Sequence, residues 1–378
     1  MNYIYPWQEA LWRRLAPRNR ASAQGDGLSV SHALLLRGRK GLGKFAFARY
    51  LAKSRLCETP SVEGDACGIC ASCRWFEQGG HPDFRLVEPE ALSAAPAMSD
   101  SSDDGLGDGG ANTEAEAMGA AGTESGGAKS RKKPSKQIAI GQIRDLADFV
   151  NISSHQNGHK IILIHPAETM NTAAANALLK NLEEPPSRTL FILVAHQAQH
   201  LLPTIRSRCL QIAMPAPSPA AATRWLKQQG VQNAEVCLAS AGYAPLAALE
   251  FNDDAYLEQH GAFIKQISEP ANFSPILLAE TMQKSDLPTV VNWLQKWCYD
   301  LLSFRTTGKI RYHVDMPAAV HSLASQTDPR SLITYLRTLT KTQQLASHPL
   351  NPRLFLEEML FSYIAALYPA RRNGIGLD

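Results

Sequence analysis

Four cysteines crowded into one short stretch, Cys57, Cys67, Cys70 and Cys73, constrain this chain more than any other feature. The segment reads Cys57-x9-Cys67-Gly-Ile-Cys70-Ala-Ser-Cys73, so its last three members form an overlapping Cys-x2-Cys-x2-Cys run. Tetrahedral zinc takes four soft ligands, and a Cys-x2-Cys step brings two thiolates of one tight turn to the same ion. Gly68, Ala71 and Ser72 are small enough for such turns. Four thiolates close the coordination shell, which predicts a structural zinc rather than a catalytic one. His81-Pro82-Asp83 follows at once, but with four thiolates in place His81 is not expected to be a ligand. The bland alternative is a set of buried free thiols.

Directly upstream lies a glycine loop, Gly38-Arg-Lys-Gly-Leu-Gly43-Lys44-Phe45. The phosphate-binding pattern is Gly-x4-Gly-Lys-Ser/Thr. Gly38, Gly43 and Lys44 match it, and backbone amides with Lys44 can cradle phosphates at a helix start. Phe45 replaces the hydroxyl residue that holds magnesium. A second loss agrees with the first. The strand Ile161-Ile-Leu-Ile164 is followed by His165-Pro166, where Asp-Glu would hold metal and orient water. Two losses in one site predict no nucleotide hydrolysis and leave nucleotide binding open. The competing reading is a vestigial loop kept for packing.

The chain has 378 residues, enough for two or three domains. Its hydrophobic fraction of 44% is ordinary for a globular protein. No apolar run is long enough to span a bilayer, and the start, Met1-Asn-Tyr-Ile-Tyr-Pro-Trp7, lacks a signal-peptide pattern. The expectation is a cytoplasmic protein whose seven cysteines, four of them clustered, favour metal thiolates over disulfides. A net charge of +3 neither demands nor excludes nucleic acid.

Residues from about 1 to 213 read as one α/β unit. Ala33–Leu36 leads into the glycine loop, and a helix, Phe45 to Leu56, follows. Lys160–Ile164 and Thr189–Ala195 are further buried-strand candidates. Between them a helix from Thr172 to Glu183 ends at Pro185-Pro186. Strands that are apolar on both faces and alternate with helices predict a mostly parallel sheet. From about 91 to 136 the composition turns to Ala, Gly, Ser and Asp, acidic first and then basic, and reads as a disordered insertion. Met214-Pro-Ala-Pro-Ser-Pro219 marks a linker. Helical pieces from Ala220 to Gln229 and from Asn233 to Leu249 suggest a small helical domain over 214–268. From 269 to 378 the pattern is helical. One apolar face carries Val290, Trp293, Leu294, Trp297, Leu301 and Leu302, and others carry Leu332, Tyr335, Leu336 and Leu339, or Leu354, Leu356, Leu360, Ile364 and Leu367.

After the third strand comes Thr204-Ile-Arg206-Ser207-Arg208-Cys209. At the far edge of a nucleotide-binding sheet, Ser-Arg-Cys is where ring-shaped ATPases place an arginine that reaches a phosphate bound to the neighbouring subunit. The bland reading is an ordinary surface charge.

Together these residues resemble the delta-prime family of bacterial DNA polymerase III clamp-loader subunits, within the AAA+ superfamily. The resemblance rests on Tyr5-Pro6-Trp7, His32-Ala-Leu-Leu-Leu-Arg-Gly38, the cysteine module, His81-Pro82-Asp83, Ile143-Arg144, Asn176 through Leu-Glu-Glu-Pro-Pro186, Leu202 through Cys209, and Asn351-Pro-Arg353. The motor subunits share several of these, but Phe45, His165-Pro166 and Pro245 depart from the motor pattern. The insertion over 91–136 is not part of the family pattern. The resemblance implies an AAA+ core with an inserted zinc module over 1–213, a small helical lid over 214–268 and an all-α collar over 269–378. It implies a five-membered ring with motor (gamma/tau) and delta subunits that loads a sliding clamp onto primed DNA as part of the polymerase holoenzyme. In it Arg208, preceded by Ser207, would act in trans, and no membrane is involved. The alternatives are an active motor-type ATPase with a divergent site and a zinc-ribbon nucleic-acid binder.

Overall fold

The computed structural model describes residues 4–16, 31–93, 134–151, 155, 159–251, 254–269, 273–346, 348 and 350–368. The chain divides into two compact units, Met1–Gly38 with Lys44–Met214, and Arg39–Gly43 with Pro215–Asp378.

The first unit holds a five-stranded parallel sheet. Its strands are β1 (Ala33–Arg37), β2 (Phe84–Val87), β3 (Lys160–Ile164), β4 (Thr189–Ala195) and β5 (Leu210–Ala213), in the order β2-β3-β4-β1-β5. Its helices are α1 (Glu9–Leu15), α2 (Lys44–Leu56), α3 (Ala71–Glu77), α4 (Glu90–Ser93), α5 (Ile140–Asn151), α6 (Thr172–Glu183) and α7 (Pro203–Arg208). The central strands are apolar on both faces because each face meets a helical layer. Leu35, Ile162, Ile164, Phe191 and Leu193 join the core shared with α5 and α6. Their alternates Leu34, Leu36, Ile161, Leu163 and Ile192 join the core shared with α1 and α2. This two-sided burial matches the expectation of a parallel α/β sheet.

β3 and β4 fall where the apolar runs place them, and α6 spans the expected residues. Asn171 caps α6 by accepting from the Ala174 amide at 2.8 Å. β2 and β5 are not foreseen, since two of the four residues of β2 and three of the four of β5 are exposed and neither carries a long apolar run. The proposed insertion over 91–136 lies mostly outside the described residues, but its first residues, 91–93, close helix α4.

The second unit is helical among its described residues. Its helices are α8 (Pro219–Gln228), α9 (Ala234–Ser240), α10 (Pro245–Glu250), α11 (Asp254–Ser268), α12 (Pro275–Met282), α13 (Leu287–Thr307), α14 (Pro317–Gln326), α15 (Pro329–Leu345) and α16 (Pro352–Leu367). Two separate cores occupy it. A small one joins α8, α9 and α10 through Leu226, Cys237, Leu238 and Ala248. A large one is built on Trp293, Trp297, Leu332, Leu356 and Tyr363. The single helix expected over Asn233–Leu249 is two helices. Gly242 and Tyr243 both adopt left-handed φ, +66° and +65°, and Pro245 starts the next helix. The apolar stripe on α16 also needs correction, because Leu354 is 62% exposed and lies off the buried face.

Many helix starts repeat one device. Ser218, Asp286, Asp328 and Asn351 each accept a backbone amide of the first turn, and each is followed within two residues by proline. The cap satisfies an orphan amide, and proline fixes φ where no intrahelical donor is needed.

Candidate metal centre, phosphate loop and arginine finger

The four cysteines converge. Their Sγ atoms all lie within 4.8 Å of one another, and Cys57 Sγ is 4.0 Å from Cys70 Sγ. Zinc–sulfur bonds of about 2.3 Å at tetrahedral angles require sulfur–sulfur spacings of about 3.8 Å, close to what is found. None of the four is in a disulfide. The Cys67–Cys70 turn is made possible by Gly68, with φ +77° and open space where a Cβ would sit. Cys70 then caps α3, its sulfur accepting from the Cys73 amide at 3.4 Å.

Backbone amides also point at the other sulfurs, Cys67 N–H at Cys57 Sγ (3.3 Å) and Cys70 N–H at Cys67 Sγ (3.4 Å). Such donors stabilise thiolate charge. Hydrogen bonds from the Thr59 hydroxyl, then from the Ile69 and Cys70 amides, hold the Cys67 thiol down to about 6. Burial pushes Cys57 and Cys73 up instead. Only a nearby cation makes four thiolates compatible in one place, so the donor set fits a divalent soft metal and zinc best.

His81 stands beside this centre and is fully engaged elsewhere. Ser72 Oγ donates to Leu56 O (2.6 Å) and so accepts from His81 Nε2 (2.6 Å), while His81 Nδ1 accepts from the Asp83 amide (3.0 Å). Both ring nitrogens are used, and burial lowers the histidine's pKa, which keeps the ring neutral. His81 and Ser72 thus fasten α3 to the end of α2. Lys53, buried on α2, adds an ion pair to Glu77 on α3. The module is anchored to the helix that leaves the phosphate loop.

In that loop Gly38, Gly41 and Gly43 all take positive φ (153°, 82° and 80°), a backbone region glycine enters without steric cost. Lys44 opens α2 and is only 2% exposed. Burial lowers its pKa to about 8, with the Glu168 charge opposing. Phe45 stacks on His165, ring centroids 4.3 Å apart and planes 26° off parallel. His165 Nδ1 lies 3.1 Å from Glu88 Oε1. His165 and Glu88 each follow a strand, β3 and β2, at the carboxyl edge of the sheet, where ligands bind in open parallel sheets. Phe45 at the start of α2 and His165 at the end of β3 thus form an aromatic pair beside Lys44. Glu88 escaped the sequence reading because the strand that delivers it was not foreseen.

Arg208 ends α7. Its Nη2 lies 2.7 Å from Glu183 Oε1, and its Nη1 donates to Thr204 O at 3.1 Å. The guanidinium side chain is 34% exposed. Ser207 Oγ donates to the same Thr204 carbonyl (3.0 Å), so Ser207 closes the helix turn and does not face Glu183 through that bond. Cys209 is buried, its thiol pushed up to about 12 by desolvation, and it packs into the sheet-facing core. Glu183 is the residue the sequence did not single out. A carboxylate in the last turn of a helix is unfavourable beside the negative end of the dipole. That anomaly at the end of α6 is the signal that a cation meets it.

The family described as DNA polymerase III, delta subunit matches residues 19–218, and the one described as DNA polymerase III, delta subunit, C terminal matches residues 255–364. DNA polymerase III subunit delta' of Pseudomonas aeruginosa is 32% identical over 372 residues, covering 95% of this chain and 97% of that protein. The delta' subunit of Escherichia coli (strain K12) is 27% identical over 374 residues, with 97% and 96% covered. The tau subunit of the same organism is 32% identical over 198 residues, which are 52% of this chain and 24% of tau. The chain belongs to the delta-prime family of bacterial DNA polymerase III subunits.

Proposed function

We propose that this chain is a clamp-loader subunit that does not itself hydrolyse ATP and that lends Arg208 to the ATP site of a neighbouring motor subunit. The observation that carries the first half is the Phe45–His165 stack. In this reading a phenyl ring stands where the metal-binding hydroxyl would be and an imidazole where the acidic pair would be, and neither supplies the oxygen ligands that magnesium takes. Lys44 keeps its place in the loop, so phosphate binding without hydrolysis is compatible with the site.

Arg208 supports the second half. It ends a six-residue helix, partly exposed, and is held by Glu183 and a backbone carbonyl. A guanidinium held this way is pre-oriented toward a phosphate group arriving from outside the chain. There it would neutralise charge that develops on the transferred phosphoryl oxygens. The family implies the partners: motor (gamma/tau) and delta subunits in a five-membered ring that places a sliding clamp on primed DNA in the cytoplasm. Among the described residues no helix is long and apolar enough to cross a membrane.

Cys57, Cys67, Cys70 and Cys73 would hold a zinc ion, which when bound supplies a four-way cross-link with no open coordination position. The test of the subunit assignment is reconstitution. Motor and delta subunits are mixed with or without this chain, and clamp loading onto primed DNA is measured. Loading that requires the chain supports the proposal, and loading that proceeds equally without it contradicts it.

A further inference from the structure

We propose that a cluster of arginine, lysine and tyrosine side chains around Arg311, in the second unit, is a binding site for single-stranded nucleic acid. The cluster is built on the loop between α13 and α14. Asp300, on α13 and fully buried, holds that loop by its carboxylate. It accepts from the amides of Arg311 (2.9 Å), Tyr312 (3.0 Å) and His313 (2.7 Å), and from His313 Nδ1 (2.9 Å). The acceptor capacity of Asp300 is therefore spent on the loop backbone and His313. The loop it shapes presents cations.

The Arg311 guanidinium carbon lies 5.8 Å from the Tyr243 ring centroid and 5.7 Å from that of Tyr312. Lys296 Nζ lies 5.5 Å from the Phe251 centroid and 6.0 Å from Tyr312. Arg39 Nη1 donates to Gly242 O at 3.2 Å, and its charge also reaches the Tyr312 hydroxyl. Among the described residues neither Arg311 nor Lys296 forms an ion pair, and Arg311 Nε is buried without an acceptor. Burial lowers Lys296 to about 8. Half-buried cations with unmet donors are costly when nothing anionic meets them. Among the described residues no carboxylate pairs with either cation, and the arrangement suits an anion brought from outside.

The rings select which anion. Tyr299, 40% exposed, meets Tyr312 edge-on at 5.5 Å. Tyr243 holds the other side of Arg311 from a left-handed backbone position (φ 65°) and donates its hydroxyl to Arg311 O at 3.2 Å. A non-glycine residue kept in that region is held there by its surroundings, and such positions concentrate at ligand sites. Cations for a phosphate backbone interleaved with aromatic faces for unpaired bases are the composition of a single-strand platform. An acidic peptide would satisfy the cations and leave the rings idle, and a duplex hides its base faces.

The test is fluorescence anisotropy of a labelled twenty-residue oligo-dT against the full chain across a salt series. The wild type is expected to bind with a logarithmic salt slope of roughly −2, about 0.7 per phosphate contact for three cations. Arg311→Ala with Lys296→Ala should weaken binding more than about tenfold and flatten the slope by at least about one contact's worth. Tyr299→Ala, at an exposed position where folding is not at risk, should weaken binding about five- to tenfold with the slope unchanged, and Tyr299→Phe should restore it. Arg208→Ala should leave oligonucleotide binding as it is, which separates this proposal from the finger reading. No wild-type binding at low salt, binding indifferent to both the Arg311–Lys296 pair and Tyr299, or displacement by poly-glutamate as effective as by unlabelled oligo-dT would each overturn it.

Discussion

Arg208 and Glu183 face each other at 2.7 Å across the ends of α7 and α6. The two residues belong to separate sequence blocks, Ser207-Arg208-Cys209 and Leu182-Glu183-Glu184-Pro185-Pro186, and the fold makes them one element. The pair is partly solvated, so its direct worth to stability is about 0–1 kcal/mol. Its value lies in orientation. Glu183→Ala should therefore leave the unfolding midpoint nearly unchanged while slowing clamp loading by about three- to tenfold through a misplaced guanidinium. Glu183→Gln, which keeps a hydrogen-bond acceptor, should fall between. Urea unfolding and loading rates measured side by side check this. A large loss of stability in Glu183→Ala would mean that the pair serves folding instead.

The metal centre makes a compositional prediction. Purified protein should carry close to one zinc per chain by elemental analysis. Cys73→Ser should lose most of it and become more susceptible to proteolysis around residues 57–77. Cys209→Ser, a buried cysteine outside the cluster, should keep its zinc. Chelation should loosen the module without unfolding the sheet, because the cores on either side of the sheet draw nothing from the four sulfurs. Metal-free protein with an unchanged proteolysis pattern would refute the assignment.

Restoring one lost group in the phosphate loop should not restore hydrolysis. In Phe45→Thr the hydroxyl returns, but β3 still delivers His165 rather than an acidic pair, and Glu88 remains 3.1 Å from that histidine. The isolated variant should show no ATP turnover above the wild type in a coupled assay. Turnover that appears in Phe45→Thr and vanishes when Lys44→Met is added would show that the site is closer to a working one than its geometry says.

Acid should weaken the helical unit through His260. Burial first, then the His313 and Lys296 charges, lowers its pKa from an ordinary 6.5 to about 3. Its neighbours are aromatic, Tyr256 on its own helix and Trp293 on α13, with His313 stacked at 5.8 Å. Between pH 6.5 and about 3 the unfolded chain binds a proton there that the folded chain refuses. Stability from this group is therefore complete above pH 6.5 and falls as pH drops through that window. Urea midpoints across the range should show the decline, and His260→Gln should flatten it. An equally steep decline in the variant would assign the effect elsewhere.

Much of this architecture is legible in the residues because burial on two faces leaves an unmistakable trace. β3 and β4 are continuous apolar runs, and the Asn171 cap with Pro185-Pro186 brackets α6. The cysteine cluster is legible for a similar reason, since ligand spacing is local. What escapes is what depends on partners distant in sequence. β2 and β5 are short and largely exposed, and they become strands only because β3 and β1 offer them an edge. Glu183 and Glu88 look like surface acids until the fold brings Arg208 and His165 to them. The break before Pro245 has a sequence signal in Gly242 and Pro245, but the left-handed Tyr243 does not, because tyrosine is not a residue whose identity announces that turn.

The central claim is that Arg208 acts on a phosphate bound to another subunit, and ATP hydrolysis by the reconstituted assembly, with clamp and primed DNA present, tests it most directly. Arg208→Ala and Arg208→Lys are compared with wild type after each is shown to assemble. Removal of such a finger costs about 10³–10⁵ in rate at the one site it serves. The account therefore predicts that total hydrolysis drops by the share of that site, that clamp loading falls much further, and that lysine, a point charge without the planar fork, does not rescue it. Assemblies carrying Arg208→Ala that hydrolyse and load as the wild type does would contradict the account.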